Sequence, residues 1–306
     1  MTLAEFFGTY AFRTTAIGTL LIGAFAGGLG SILYLRKQSL ASDVVGHSSL
    51  LGVVLAFIAA SLIGWDGRSI LTLTIGGTIA AILALFLTNA IAHRTRVGID
   101  AAMAISMAIF YGGGMVILYL INHSKLPNRG GIDSYLFGNA ATMRQVDVIT
   151  VLIFGILASL TLVAFWKEIQ LYCFDDVAAN VLGFAPRRVG ALVIATTTIA
   201  IVMGIKAVGM ILVVAFAIMP PAAARQFTTS MAGLVTGAAA IGGISGLIGA
   251  YISVSIGRVP TGPIVVLILF AIFIISLVLS PRRYRGRRSL KEAPEAEKMS
   301  IAGEAA

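Results

Sequence analysis

The chain has 306 residues, 58% of them hydrophobic and only 11% charged, with a mean hydropathy of +0.97 and a formal net charge of +9. Soluble domains carry about 25% charged and about 45–50% apolar residues, so this composition excludes a soluble fold and points to an integral membrane protein. The basic residues cluster in short loops and the C-terminal tail, a pattern that sets topology and argues against nucleic acid as a partner, while the single cysteine, Cys173, excludes an internal disulfide or a multi-cysteine metal cluster.

Glu5 falls where a cleavable leader would be basic, and the apolar run Thr14 to Leu35 exceeds the ~7–15-residue core of a signal peptide, so the first span is expected to be retained. Further apolar stretches run from Asp43 to Gly64, Ser69 to Ala92, Ala101 to Asn122, Val148 to Trp166, Val189 to Ile205, Ala207 to Ala224, Met231 to Tyr251 and Gly262 to Leu279. Each approaches the ~17–25 residues that cross a bilayer as a helix. The fold class expected is therefore an all-α integral membrane protein of about eight to nine transmembrane helices. Its polytopic domain covers residues 1–281, and residues 282–306 form a basic, then disordered cytoplasmic tail.

The sixth and seventh stretches are almost contiguous; Gly204, Lys206 and Gly209 predict a tight reversal or a broken helix between them, which leaves the span count open. Gly23-x-x-x-Gly27, Gly242-x-x-x-Gly246 and the Gly112-Gly113-Gly114 run supply small surfaces for helix packing in lipid. Pro220-Pro221 removes two backbone donors near the end of a span. With the N-terminus outside, Arg36-Lys37, Arg94, Arg96, Arg187-Arg188, Arg225 and the cluster from Arg282 to Arg288 fall on one side, which their charge makes cytoplasmic.

Asp43 and His47 stand out against this background, because an ionisable group inside a span costs about 2.5–3.5 kcal/mol on insertion scales and normally marks an ion path or a partner. Their i,i+4 spacing puts both on one helix face. A carboxylate oxygen and an imidazole nitrogen suit Mn²⁺, Fe²⁺ or Zn²⁺, and two ligands are too few for a closed structural zinc site, so the pair fits an ion that is released again. The alternative is that Asp43 caps the helix start after Ser42 and His47 packs beside it. Arg36-Lys37 place the pair nearer the cytoplasmic end of its span than the bilayer centre. Asp100, Asp133, His93 and His123 are expected at interfaces or in loops, solvated.

Between Gln170 and Arg188, Asp175 and Asp176 open a short amphipathic helix through Ala179, which Gly183 ends in a left-handed conformation before Pro186. Such a helix on the inner face suits docking of a cytoplasmic partner; an ordinary interfacial linker helix is the other reading. The chain contains no Gly-x-x-x-x-Gly-Lys-Ser/Thr phosphate loop, no Gly-x-Ser-x-Gly elbow and no His-Glu-x-x-His helix, so nothing in it points to ATP hydrolysis or hydrolase chemistry.

Arg36 followed by Asp43-Val-Val-Gly-His47 and Gly52 resembles the signature of the permease subunits of bacterial ABC importers for manganese, zinc and chelated iron. Tyr135-Leu-Phe-Gly138, the block from Phe174 to Gly183, Val208-Gly209 through Pro221-Ala-Ala-Ala-Arg225, and Pro260-Thr-Gly-Pro263 resemble later family blocks in the same order. The resemblance implies that Asp43 and His47 line the translocation path and contact the metal, and that Asp175, Asp176, Ala179 and Gly183 lie on the helix that meets the nucleotide-binding subunit. It further implies cytoplasmic ATP-binding subunits, an extracytoplasmic metal-binding protein, a second permease copy or a paralogue, and residence in the inner membrane. No permanently bound cofactor is implied; the cargo would be Mn²⁺ foremost, or Zn²⁺ or Fe²⁺. The chain departs from the family pattern at Leu51, where a proline is usual, and at Asn139, where many members carry an acid. The competing class is a stand-alone ion-coupled secondary transporter, which would need no ATPase.

Overall fold

The computed structural model describes residues 9–65, 70–123, 143–175, 179, 181–256 and 259–280. Asp133, the Tyr135 to Gly138 block, Asn139, Asp176 and the tail from Arg282 lie outside the described residues. Within them the regular elements are helices: α1 (Tyr10–Leu35), α2 (Ala41–Ile63), α3 (Ile70–Arg94), α4 (Ile99–His123), α5 (Gln145–Ala164), α6 (Trp166–Phe174), α7 (Pro186–Val208), α8 (Met210–Ala224), α9 (Met231–Ile256) and α10 (Thr261–Leu279). Eight are long and apolar enough to cross a membrane, and α8 is a shorter apolar helix. α6 was not expected as a separate element; the chain breaks at Phe165 and starts a new helix at Trp166.

The two Gly-x-x-x-Gly motifs are each other's partners. α1 and α9 run antiparallel, with Gly23 against Gly242, Gly27 against Ala238 and Gly246 against Thr19. A Cβ on Gly27 would lie 2.6 Å from the Ala238 carbonyl oxygen, so the backbones themselves are in contact. Lipid tails are as apolar as leucine, so this close approach, rather than apolar burial, holds helices together in a bilayer. The Thr19 hydroxyl adds an interhelical hydrogen bond to the Gly246 carbonyl at 3.1 Å. Gly52 and Gly76 bring α2 and α3 together in the same way. In the Gly112 to Gly114 run only Gly114 is tightly packed, against Leu50 and Leu51, while Gly112 faces open space.

The join between α7 and α8 is a tight reversal at Gly209. Its backbone, at φ 92° and ψ 158°, occupies a region open essentially to glycine alone. Residues Gly204 and Val213 would be ~13.5 Å apart along one continuous helix. Instead, a Cβ on Gly204 would lie 2.9 Å from a Val213 methyl, so α8 folds back along α7. Just before the turn, Lys206 Nζ meets Asp147 Oδ1 at 2.6 Å. Asp147 also accepts the Arg144 backbone N–H at 3.0 Å, capping α5.

Candidate metal site and docking loop

Leu40 occupies the N-cap of α2, and no side chain caps this helix start. Asp43 is therefore not the cap that its position after Ser42 allowed. Its Oδ1 lies 3.4 Å from His47 Nε2, with the Asp43 and His47 side chains 33% and 26% exposed. Two ligands, each about 2.1 Å from one tetrahedral ion, are themselves about 3.4 Å apart, so the separation of the pair is compatible with a shared cation. The other imidazole nitrogen, Nδ1, is buried without a hydrogen-bond partner, an unusual condition for a buried polar atom. Among the described residues no third His, Cys, Asp or Glu joins the two.

Asp43 and His47 are the third and seventh residues of α2, near the start of their span as expected, yet they lie level with the middle of the neighbouring helices α3 and α4. Gly52 packs on Gly76, and in that antiparallel register Asp43 and His47 come level with Leu85 and Ala81, in the middle of α3. The His47 ring also stands edge-on to Tyr111, the central residue of α4, with centroids 4.8 Å apart and planes at 85°. The reason lies in the α1–α2 corner. Lys37 takes a left-handed conformation (φ 55°), and the Gln38 N–H donates to the Leu33 carbonyl at 2.8 Å, so the chain turns inward before α2 begins. The far end of α2 is displaced correspondingly, leaving Leu62 and Ile63 exposed. Near the start of α2 lies a cavity of about 460 Å³, lined in part by Lys37, Ser39, Leu40, Asp100, Phe174 and Arg225. Asp100 is exposed there, as expected. His93 and His123 are exposed too, each within hydrogen-bond distance of a carbonyl one turn back in its own helix.

Asp175 ends α6 in an extended conformation and starts the next turn, where its carbonyl accepts the Ala179 N–H at 3.1 Å. Ala179 is buried, and Gly183 adopts φ 81° while the Phe184 N–H returns to the Ala179 carbonyl at 3.0 Å. This is the helix end expected of Gly183, a left-handed residue followed by a bond back across the last turn. Val181, Leu182 and Phe184 are exposed beside it. Sequence reasoning missed how this loop is held. Arg36 Nη1 donates to the Tyr172 carbonyl at 2.9 Å, and the guanidinium lies 4.1 Å above the Tyr172 ring, tying α6 to the corner that leads to Asp43.

A bundle with eight helices long and apolar enough to cross a membrane has the architecture of a multi-pass membrane permease. Residues 9–280 match the model of the ABC 3 transport family, and the chain belongs to that family. It is 34% identical to the zinc transport system membrane protein TroC of Treponema pallidum, over 92% of this chain and 93% of that protein. Identity is also 34% with the manganese transport system membrane protein MntC of Bacillus subtilis, over 90% of this chain and 62% of that protein. Among solved structures, PsaBC from Streptococcus pneumoniae in complex with Fab superposes with a TM-score of 0.79 at 25% identity, covering 94% of this chain and 100% of that one.

Proposed function

We propose that this chain is the membrane-spanning permease subunit of an ATP-driven importer that carries manganese or zinc across the inner membrane. The observation that carries the reading is the Asp43–His47 pair, at a separation that suits one cation, partly exposed, and level with Tyr111 in the middle of α4. The two side chains hold the ion transiently, with water or carbonyls completing its shell. Free energy enters from partner ATPases docked on the loop of Asp175, Asp176, Ala179 and Gly183, since the chain has no phosphate-binding loop. An extracytoplasmic metal-binding protein delivers the ion, and a second permease, identical or paralogous, completes the path. Two supports favour this over a stand-alone secondary transporter: membership of the ABC 3 transport family and the exposed helix end at Gly183.

The test is metal uptake by the complete transporter assembled with Asp43→Ala or His47→Ala permease. Both variants should assemble with their partners yet take up no metal. Wild-type uptake in both would sink the assignment of the site.

A further inference from the structure

We infer that the thioethers of Met210 and Met107 flank the Asp43–His47 pair and bias the permease toward softer divalent ions, zinc over manganese. The inference rests on the ion site proposed above. A carboxylate and an imidazole by themselves accept either metal, so any preference must come from what else meets the ion.

One contact, for Met210, and one helix register, for Met107, place sulfur there. A Cβ on Gly46 would lie 3.2 Å from Met210 Sδ and 2.8 Å from its Cγ. Gly46 adjoins His47 and belongs to the same helical turn as Asp43, so the sulfur lies against the turn that carries both ligands. Any side chain at position 46 would expel it. Met210 is also the first residue of α8, directly after the Gly209 reversal, so the backbone fixes where its side chain starts.

Met107 follows from the register of α2 and α4. The His47 ring meets Tyr111, and Leu50 meets Gly114, two pairs with the same offset along parallel helices. That offset sets Asp43 beside Met107, one turn from Tyr111 on the same face of α4. Met107 and Met210 are both only partly buried, and both pack on the core cluster that contains Val44 and Met103. Thioethers are soft ligands that favour zinc, whereas manganese is better served by oxygen, and the unbranched methionine side chain can turn its sulfur toward a passing ion.

The experiment compares uptake of Zn²⁺ and Mn²⁺, supplied together at equal concentration, by the complete transporter carrying wild-type, Met210→Leu, Met107→Leu or doubly substituted permease. Leucine conserves volume and apolarity, and a ratio measured within one sample does not depend on how much protein folds. The zinc-to-manganese ratio should fall on the order of tenfold in the double variant, the lower end of the effect of losing a metal-site neighbour, with Mn²⁺ uptake retained. An unchanged ratio with Asp43-dependent Mn²⁺ uptake intact overturns the inference and leaves the proposed function standing. Uptake of neither metal by the wild-type complex, or uptake indifferent to Asp43→Ala, overturns both.

Discussion

Replacing Lys206 with methionine should be among the costliest single changes outside the candidate metal site. Its ammonium lies 2.6 Å from Asp147, and the two side chains are only 13% and 11% exposed. Removing one partner of a buried pair leaves the other uncompensated, at a typical cost of about 3–5 kcal/mol. Asp147 keeps some support, because its second oxygen still accepts the Arg144 N–H and the Arg144 guanidinium lies 3.9 Å away. Arg144 is 70% exposed, however, and water weakens that contribution. The expected loss is therefore near the lower end, about 3 kcal/mol. Adding Asp147→Asn should recover most of it, since the residue left behind is neutral and can keep the capping bond. Unfolding of the purified protein in detergent, followed for wild type, both single variants and the double variant, closes a double-mutant cycle. A Lys206→Met variant as stable as wild type, or a double variant no more stable than Lys206→Met, would refute the reasoning.

Gly183→Val places a β-branched residue at φ 81°, where L-residues pay about 1–2 kcal/mol, and should lower metal-stimulated ATPase activity of the complex; unchanged stimulation would count against the docking role. Arg36→Ala removes the bond and the ring contact that tie α6 to the α1–α2 corner, so less metal should be carried per ATP hydrolysed, with Arg36→Lys intermediate because it lacks the planar fork. The same transport-to-ATP ratio in all three proteins would show that Arg36 does not link the loop to the site.

The helices could be read from the sequence because each apolar run is a local property, set by bilayer thickness. Asp43 and His47 were legible for the same reason: four residues on one helix need no tertiary information to share a face. Gly183 and Gly209 announced their turns through a backbone freedom that is costly for a residue with a Cβ. Depth was not legible. Arg36-Lys37 marked the basic end of α1 correctly, but how far the chain climbs before α2 begins depends on Lys37 adopting a left-handed turn and on Gly52 choosing Gly76 as its neighbour. Nor does any local pattern connect Lys206 with Asp147; the available signal was the lysine itself, since a cation within a span calls for a carboxylate somewhere along the chain. Tyr111 and Met210 reach the site by packing alone, as an aromatic and a methionine among many.

The pattern of helix packing divides the bundle into two bodies. α2, α3 and α4 pack chiefly on one another, while α1, α5, α7, α8, α9 and α10 form the other group, and contacts from α7 and α8 to α2 and α3 bridge them. The glycine seam of α1 and α9 makes the larger body stiff where the two backbones touch. Asp43, His47, Tyr111 and Met107 ride on the small body, and Met210 rides on the large one. A rocking motion at this joint would carry the Met210 sulfur away from the carboxylate and imidazole while Tyr111 and Met107 stayed beside them. Unlatching the path and loosening the grip on its cargo would then be one mechanical event, with no separate release step.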